Sequence, residues 1–331
     1  MISRQFISKI FAFFVGLCCV YIAYEFNSKS NTVLSGSIYG TTWTISSSDY
    51  ISDYHQVNIN KILNSVDSVA SNYKDTSEVS IINIKPLNNY FEISDELTEL
   101  ITTAEIVKNQ SNGFYDITLG KISASKGFSP DFGLDLSDYV EAGNTKYELK
   151  TNKLIKYQDF WFDMSSIAKG FAVQQIHDYL ISNDLTNHLI DIGGEVIING
   201  TNKSNAWVIG IQDPRNQLDK PFFLVSNDKS NFLAIATSGE YRNYRYDNDK
   251  LVTHTFDPFT KKSISGNLES ITIISQNSAT IADAYATAVN VMGLERGLDF
   301  VNTNGIAALF IINEEGELKS IKSQKWYDLE L

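Results

Sequence analysis

Cysteine is nearly absent: the 331 residues contain two, Cys18 and Cys19, adjacent to one another near the N-terminus. With only four histidines beside them, the chain lacks the donors for a thiolate zinc site. Basic residues are also outnumbered, 27 Lys and Arg against 39 Asp and Glu, for a formal charge of −12. No run of them is dense enough to offset phosphate repulsion, which excludes an ordinary nucleic-acid binder. Proline is scarce at five residues, while 43% of the chain is hydrophobic and 12% aromatic, a composition that excludes a disordered or low-complexity protein. There is no G-x-G-x-x-G behind a first strand and no P-loop lysine, so the standard dinucleotide and nucleotide folds are disfavoured. What remains is a globular chain with room for one large domain or two modest ones.

One long apolar run is present. Ile10 to Tyr24 reads IFAFFVGLCCVYIAY behind Arg4 and Lys9, the pattern of an export signal or a membrane anchor. Counted from Phe6 to Phe26 it reaches the roughly 20 residues that a span needs. No small-x-small cleavage site follows, and Cys18 and Cys19 lack the small residue that a lipoprotein signal places before its cysteine. Residues 1–26 are therefore expected to be an uncleaved anchor, with a cleaved signal as the alternative. The positive charges ahead of the span place the N-terminus in the cytoplasm and the rest on the periplasmic or extracellular side. That part is free of cysteine, which suits an oxidising compartment.

Residues 27–35, rich in Asn and Ser, are expected to be a polar connector, and 36–331 one folded unit without internal repeats. Alternating and β-branched stretches predict strands at Ser37–Ser46, Asn187–Asn199, Ala206–Gln212, Phe222–Ser226, Phe232–Thr237, Ser270–Ser275 and Ile306–Ile312. Helical spacing appears in Ile62, Val66, Val69 and Tyr73, and again in Leu97, Ile101, Ala104 and Val107 behind the cap Ser94. Further helices are expected from about Ser166 to Ile181 and from Thr280 to Met292. The elements mix without a regular βαβ rhythm, so the fold class is α+β.

Three segments could carry chemistry. In SATIADAYATAVNVMG, from Ser278, Asp283 and Thr287 are four residues apart and share a helix face among alanines. They offer two hard oxygen ligands for Mg²⁺ or Ca²⁺, or else an acidic residue favouring the helix dipole beside a packed threonine. In FDMSSIAKGFAVQ, from Phe162, Asp163 is expected to end a strand, Ser165 and Ser166 to cap the next helix, and Lys169 and Gly170 to sit in its first turn. That is a phosphate site or an ordinary capped helix. In IATSGEYRNYRY, from Ile235, Tyr241, Arg242, Tyr244 and Arg245 crowd a loop after Ser238 and Gly239 and could recognise an anionic aromatic ligand. His254 follows in THTFDP, as an acid or base or as a structural residue.

Taken in order, eight segments resemble the ApbE-like family of FAD:protein FMN transferases. They read GTTW from Gly40, SEVS from Ser77, GFYDIT from Gly113, DMSSIAKG from Asp163, IGGE from Ile192, ATSGEYRNY from Ala236, HTFDP from His254 and ADAYAT from Ala282. The pattern departs where the family continues through Trp-Gly-Phe and this chain has Lys126-Gly127-Phe128, at Lys121, and at Lys261, where a glycine is expected. The resemblance implies an α+β domain of two lobes with mixed sheets and FAD bound between them. It implies Mg²⁺ held by Asp283, Thr287 and the carbonyl of Ala168. It implies flavin and adenosine contacts from Tyr39, Glu78, Phe114, Tyr115, Asp116, Ser166 and Lys169, and from the loop running from Tyr241 and Arg242 to His254. The implied reaction passes FMN from FAD to a Thr or Ser hydroxyl of an acceptor flavoprotein, membrane-bound or exported, and releases AMP. His254 is the candidate base and Asp283 its rival. Mg²⁺-dependent FAD hydrolysis and flavin binding without turnover are the alternatives.

Overall fold

The computed structural model describes residues 9, 11–21, 31–136, 146–215, 220–239, 244–247 and 250–330. The apolar N-terminal run is helical over 11–21 (α1), and no described helix is long and apolar enough to cross a membrane. Most of the expected 1–26 anchor outside α1 lies outside the described residues, as do Tyr241 and Arg242.

Regular structure resumes with β1 (Thr32–Ile38) and β2 (Thr41–Ser47), a hairpin in full antiparallel register where one strand over 37–46 is expected. Tyr39 and Gly40 turn the chain at φ values of 53° and 71°, the left-handed pair that a tight hairpin requires. β1 starts inside the stretch read as a connector, because its outer residues face solvent and carry a polar composition. Next, α2 (Asp53–Ala70) buries Ile59, Leu63, Val66 and Val69; Tyr73, expected on the same stripe, lies beyond the helix end and is exposed. Short α3 (Glu78–Asn83) and β3 (Tyr90–Glu92) lead to α4 (Asp95–Gln110). Ser94 caps α4 by accepting from the Leu97 N–H, and Leu97, Ile101, Ala104 and Val107 are all buried, in agreement with their spacing.

After α5 (Gly120–Ser125), strands β4 (Tyr147–Lys150) and β5 (Lys153–Lys156) close a three-stranded sheet in the order β3-β5-β4. The chain continues through α6 (Ala168–Ser182), β6 (His188–Ile192) and β7 (Glu195–Asn199). The last two form a hairpin turned by Gly193 and Gly194, again where one strand is expected. Then come β8 (Val208–Ile211), β9 (Phe223–Ser226), β10 (Phe232–Gly239), β11 (Tyr244–Asp247), β12 (Lys250–Thr253) and β13 (Leu268–Ser275). The chain ends with α7 (Ala279–Thr303), β14 (Ala307–Glu314), β15 (Glu317–Lys322) and α8 (Gln324–Asp328). Two helices meet within α7 at Gly293, whose φ of 72° breaks the helical run.

Eight strands form one sheet in the order β1-β2-β6-β7-β10-β13-β14-β15, and every pairing is antiparallel. Its two faces are covered differently. Ile197 and Ala234 join the core made by α2, α4 and α6, whereas Val196, Ile198, Leu233 and Ile235 join a second core with Trp207 and Trp326. Cover on both sides explains why β7 and the first six residues of β14 are buried without alternation. The fold is α+β, as expected.

A pair of imidazoles is sealed between α6 and β6. His188 Nδ1 lies 2.9 Å from the Leu185 carbonyl, which can only accept, so Nδ1 carries the proton. Its Nε2 must then accept from His177 Nδ1 at 2.9 Å, and both rings are neutral. Burial lowers both pKa values, opposed at His177 by Asp178; that of His188 falls to about 4, with His177 adding to the fall and the Leu185 carbonyl and Asp49 opposing it. Groups depressed in the folded state stabilise it above their unfolded pKa, near 6.5, and lose that contribution as the pH falls toward 4. The His188 shift should therefore remove about 2 kcal/mol of stability between pH 7 and pH 5, read from urea midpoints. His188→Asn, whose amide can still donate to Leu185, should flatten the pH dependence; an equally steep loss in the variant would refute the assignment.

Candidate active site

α6 and α7 come into close contact where α6 begins. A Cβ on Gly170 would lie 2.5 Å from the Ala279 carbonyl oxygen and 2.6 Å from Asp283 Cβ, so only glycine lets α7 approach this closely. At the same point Asp283 Oδ2 accepts the Gly170 N–H at 2.9 Å. The position before α6, Ile167, provides no side-chain cap. A carboxylate from 113 residues away thus satisfies a first-turn amide that a neighbouring serine was expected to serve. Ser165 Oγ instead donates to Asp163 Oδ1 at 2.6 Å, and Ser166 Oγ shares a hydrogen bond with the Tyr115 hydroxyl at 3.0 Å.

Asp163 does not end a strand. The segment around it draws its backbone partners from two buried asparagines and from the irregular stretch at 117–120, where Ile117 O accepts from Asp163 N at 2.7 Å, rather than from a neighbouring strand. Asn83 accepts from Phe162 N and donates to Phe162 O, while Asn72 donates to the same carbonyl and accepts from Met164 N.

A cleft of about 650 Å³ opens along this crossing, within the size range of cofactor sites. Ala168, Lys169, Asp283 and Thr287 line it, as do Tyr39 and His254. Burial pushes the Asp283 carboxyl above its ordinary pKa, opposed by the Lys169 ammonium and the Gly170 N–H. Lys169 Nζ in turn lies 2.5 Å from Oε2 of Glu195, which is also buried. Two buried carboxylates thus lie within the influence of the Lys169 ammonium. Among the described residues no group of three or more His, Cys, Asp and Glu is placed to hold a metal ion. A cation at α6–α7 would draw on one carboxylate, the Thr287 hydroxyl and backbone oxygen such as that of Ala168. That is a hard-oxygen set, suited to Mg²⁺ by charge and chemistry.

The remaining expected contacts divide. Phe114, Tyr115, Asp116 and Ser166 line the cleft with the residues above. Phe114 packs edge-on against Phe259 at 5.0 Å between ring centroids, and the Tyr39 hydroxyl donates to the Leu63 carbonyl at 2.7 Å. Asp116 is a member of the wall: burial pushes its pKa up, but Lys146, Lys108 and the Thr118 hydrogen bonds outweigh this and hold it below the ordinary range. Glu78 is placed elsewhere. Its two oxygens accept from the N–H and the hydroxyl of Ser94, tying α3 to the start of α4, and it does not line the cleft.

Glu195, Phe128 and Arg245 also line the cleft, and the first is a site residue that no motif reading singles out. Its one signal is an acid opening the apolar strand EVIIN. The Arg245 guanidinium lies 5.5 Å from the centre of the Phe128 ring, and His254 faces the same ring at 6.4 Å. Among the departures, Lys121 bonds Asp159 instead of entering the cleft, and Lys261 occupies its glycine position at φ 59°.

A profile described as the ApbE family matches residues 39–310. The FAD:protein FMN transferase of Vibrio cholerae is 30% identical over 311 residues, covering 88% of this chain and 91% of its own. The FAD:protein FMN transferase of Haemophilus influenzae is 31% identical, covering 85% of this chain and 86% of its own. Among solved structures, the apo form of the Pseudomonas stutzeri flavinyl transferase ApbE superposes with a TM-score of 0.79 at 26% identity, over 91% of this chain and 96% of that one.

Because backbone rather than a flexible side chain would meet the new methyl group, Gly170→Ala should cost about 1–3 kcal/mol in a denaturant melt. Gly266→Ala, where an added Cβ meets nothing within 4 Å, serves as the control and should stay within about 0.5 kcal/mol of the parent. Equal stability of the two variants would show that α6 and α7 can part without cost.

Proposed function

The chain belongs to the ApbE family, and from that premise we propose that it transfers FMN from FAD to a Thr or Ser hydroxyl of an acceptor flavoprotein, releasing AMP. The observation that carries this reading is the meeting of Asp283, Thr287 and Lys169 on one wall of a cofactor-sized cleft. Mg²⁺ bound there would neutralise the pyrophosphate and aid departure of AMP. Asp283, Thr287 and the Ala168 carbonyl would hold it, and the Asp283 carboxylate, already desolvated, would supply its full negative ligand.

The chain's own groups do the rest. Lys169 attracts the phosphates from the first turn of α6, as a point charge on a flexible stem. Tyr39, Phe114 and Tyr115 offer aromatic walls to the flavin and adenine rings, and Phe128 adds a fourth. The attacking hydroxyl must lose its proton as it joins phosphorus, and His254 at the edge of the cleft takes it. With Asp283 committed to the cation, His254 is preferred to it as the base. An acceptor hydroxyl held in line with the departing AMP would supply the positioning that separates transfer from hydrolysis.

Mass spectrometry of an exported flavoprotein incubated with the chain, FAD and Mg²⁺ tests this directly. The acceptor should gain one FMN on a Thr or Ser while AMP appears. Asp283→Ala should abolish the metal-dependent reaction, and His254→Ala should slow transfer by about 10²-fold or more with little change in FAD affinity. Rapid release of free FMN with no acceptor modified would replace transfer by hydrolysis. Normal transfer by His254→Ala would move the base elsewhere, first to Asp283.

The apolar run at 10–24 is proposed to hold the enzyme at the cytoplasmic membrane with its catalytic domain outside. Arg4 and Lys9 before the run, and the lack of cysteine after it, support this orientation. Protease added to intact spheroplasts should then digest the domain. Its complete protection would reverse the topology.

A further inference from the structure

Lys169 reaches the cleft already paired. Its Nζ lies 2.5 Å from Glu195 Oε2, with 29% of the lysine side chain exposed against 4% of the glutamate. α6 brings the lysine, the turn before β7 brings Glu195, α7 brings Asp283, and all three line the cleft. The turn that delivers Glu195 has little freedom. Gly193 and Gly194 adopt φ values of 60° and 97°, Gly194 N donates to Asp191 Oδ1 at 2.8 Å, and a Cβ on Gly193 would come within 2.8 Å of the Thr41 side chain. Packing alone would favour an apolar residue at the head of a fully buried strand, since a desolvated carboxylate is costly unless paired. A lysine has a long, flexible stem, so a phosphate-binding ammonium gains precision when something rigid holds it.

We propose that Glu195 is a positioning residue for the transfer: it aims the Lys169 ammonium at the FAD pyrophosphate and offsets part of its charge, so that FAD settles in the reactive pose only once a divalent cation is also bound. The identity of the anion rests on the FMN-transfer reading; the Lys169–Glu195 pairing does not.

The test measures FAD affinity with and without Mg²⁺, and transfer kinetics, in the full chain and in Glu195→Gln, with a thermal melt of each. The substitution keeps the side-chain size and removes the charge, and it leaves a lysine that water can solvate. Lys169→Ala would be a poorer probe, because it strands a buried carboxylate. Expected for Glu195→Gln is metal-free FAD binding tighter by about threefold or more, and kcat lower by about tenfold. Glu195→Asp, which restores the charge with a shorter reach, should return metal-free affinity toward the parent value and recover part of kcat.

Binding and turnover lost together in Glu195→Gln would make Glu195 a structural residue only, and would overturn the proposal. So would unchanged values of both. A parent chain that shows the Glu195 dependence of FAD binding but modifies no acceptor would refute FMN transfer and leave the positioning role standing. Normal transfer with no effect of Glu195→Gln would refute the positioning role alone.

Discussion

The hydrogen bond from Gly170 N–H to Asp283 fixes the relation of α6 to α7, and most of the cleft follows from it. Without a side chain at 170 the two backbones come close enough for a carboxylate of one helix to cap the other. The bond serves both sides: the amide gains a strong acceptor, and the buried carboxylate gains a donor that lowers the cost of its charge. Ala279 lies directly against Gly170, and Thr287 follows one turn after Asp283. A bulkier residue on either helix would separate the groups that the proposed chemistry needs together.

The other wall depends on two tight hairpins at one end of the large sheet. The β1–β2 turn places Tyr39 in the cleft, and the β6–β7 turn places Glu195 there. The turns also touch, since Gly193 N donates to the Thr42 carbonyl at 3.1 Å and Gly193 packs on Thr41. Left-handed backbone at 39, 40, 193 and 194 thus has a positional result: it aims one aromatic and one acid at the start of α6. The sheet supports this by being covered on both faces, which leaves its strands little room to shift register.

Buried polar groups stabilise the irregular floor. Asn72 and Asn83 supply partners for a stretch of extended chain that has no strand beside it, and so carry Phe162 through Ser166 from the α5 region to the α6 start. Asp116 does similar work with Lys146 and Lys108. Removing one partner from such a site leaves the other desolvated, so these groups hold their shape together.

The sequence by itself determined the fold class, the capped helix α4 with its buried stripe, the placement of most strands, and the segments that form the cleft. Those features rest on local periodicity and on residue types whose chemistry is legible in isolation: Ser94 at a helix start, Asp283 and Thr287 one turn apart, Lys169 in a first turn. Adjacent glycines do mark a tight turn or a close approach at 193–194, whereas the reversal at 39–40 carries a single glycine inside a β-branched run and reads as one strand. Tertiary structure alone decided which acid does what. Glu78 and Glu195 both occur in family-like motifs, yet one holds Ser94 at the start of α4 and the other pairs with the cleft lysine. The cap of α6 likewise came from Asp283 rather than from Ser165 or Ser166, since a carboxylate at the right distance in space outcompetes a hydroxyl nearby in sequence. Hydrogen bonding depends on where groups end up, and sequence spacing predicts that only within a few turns of chain.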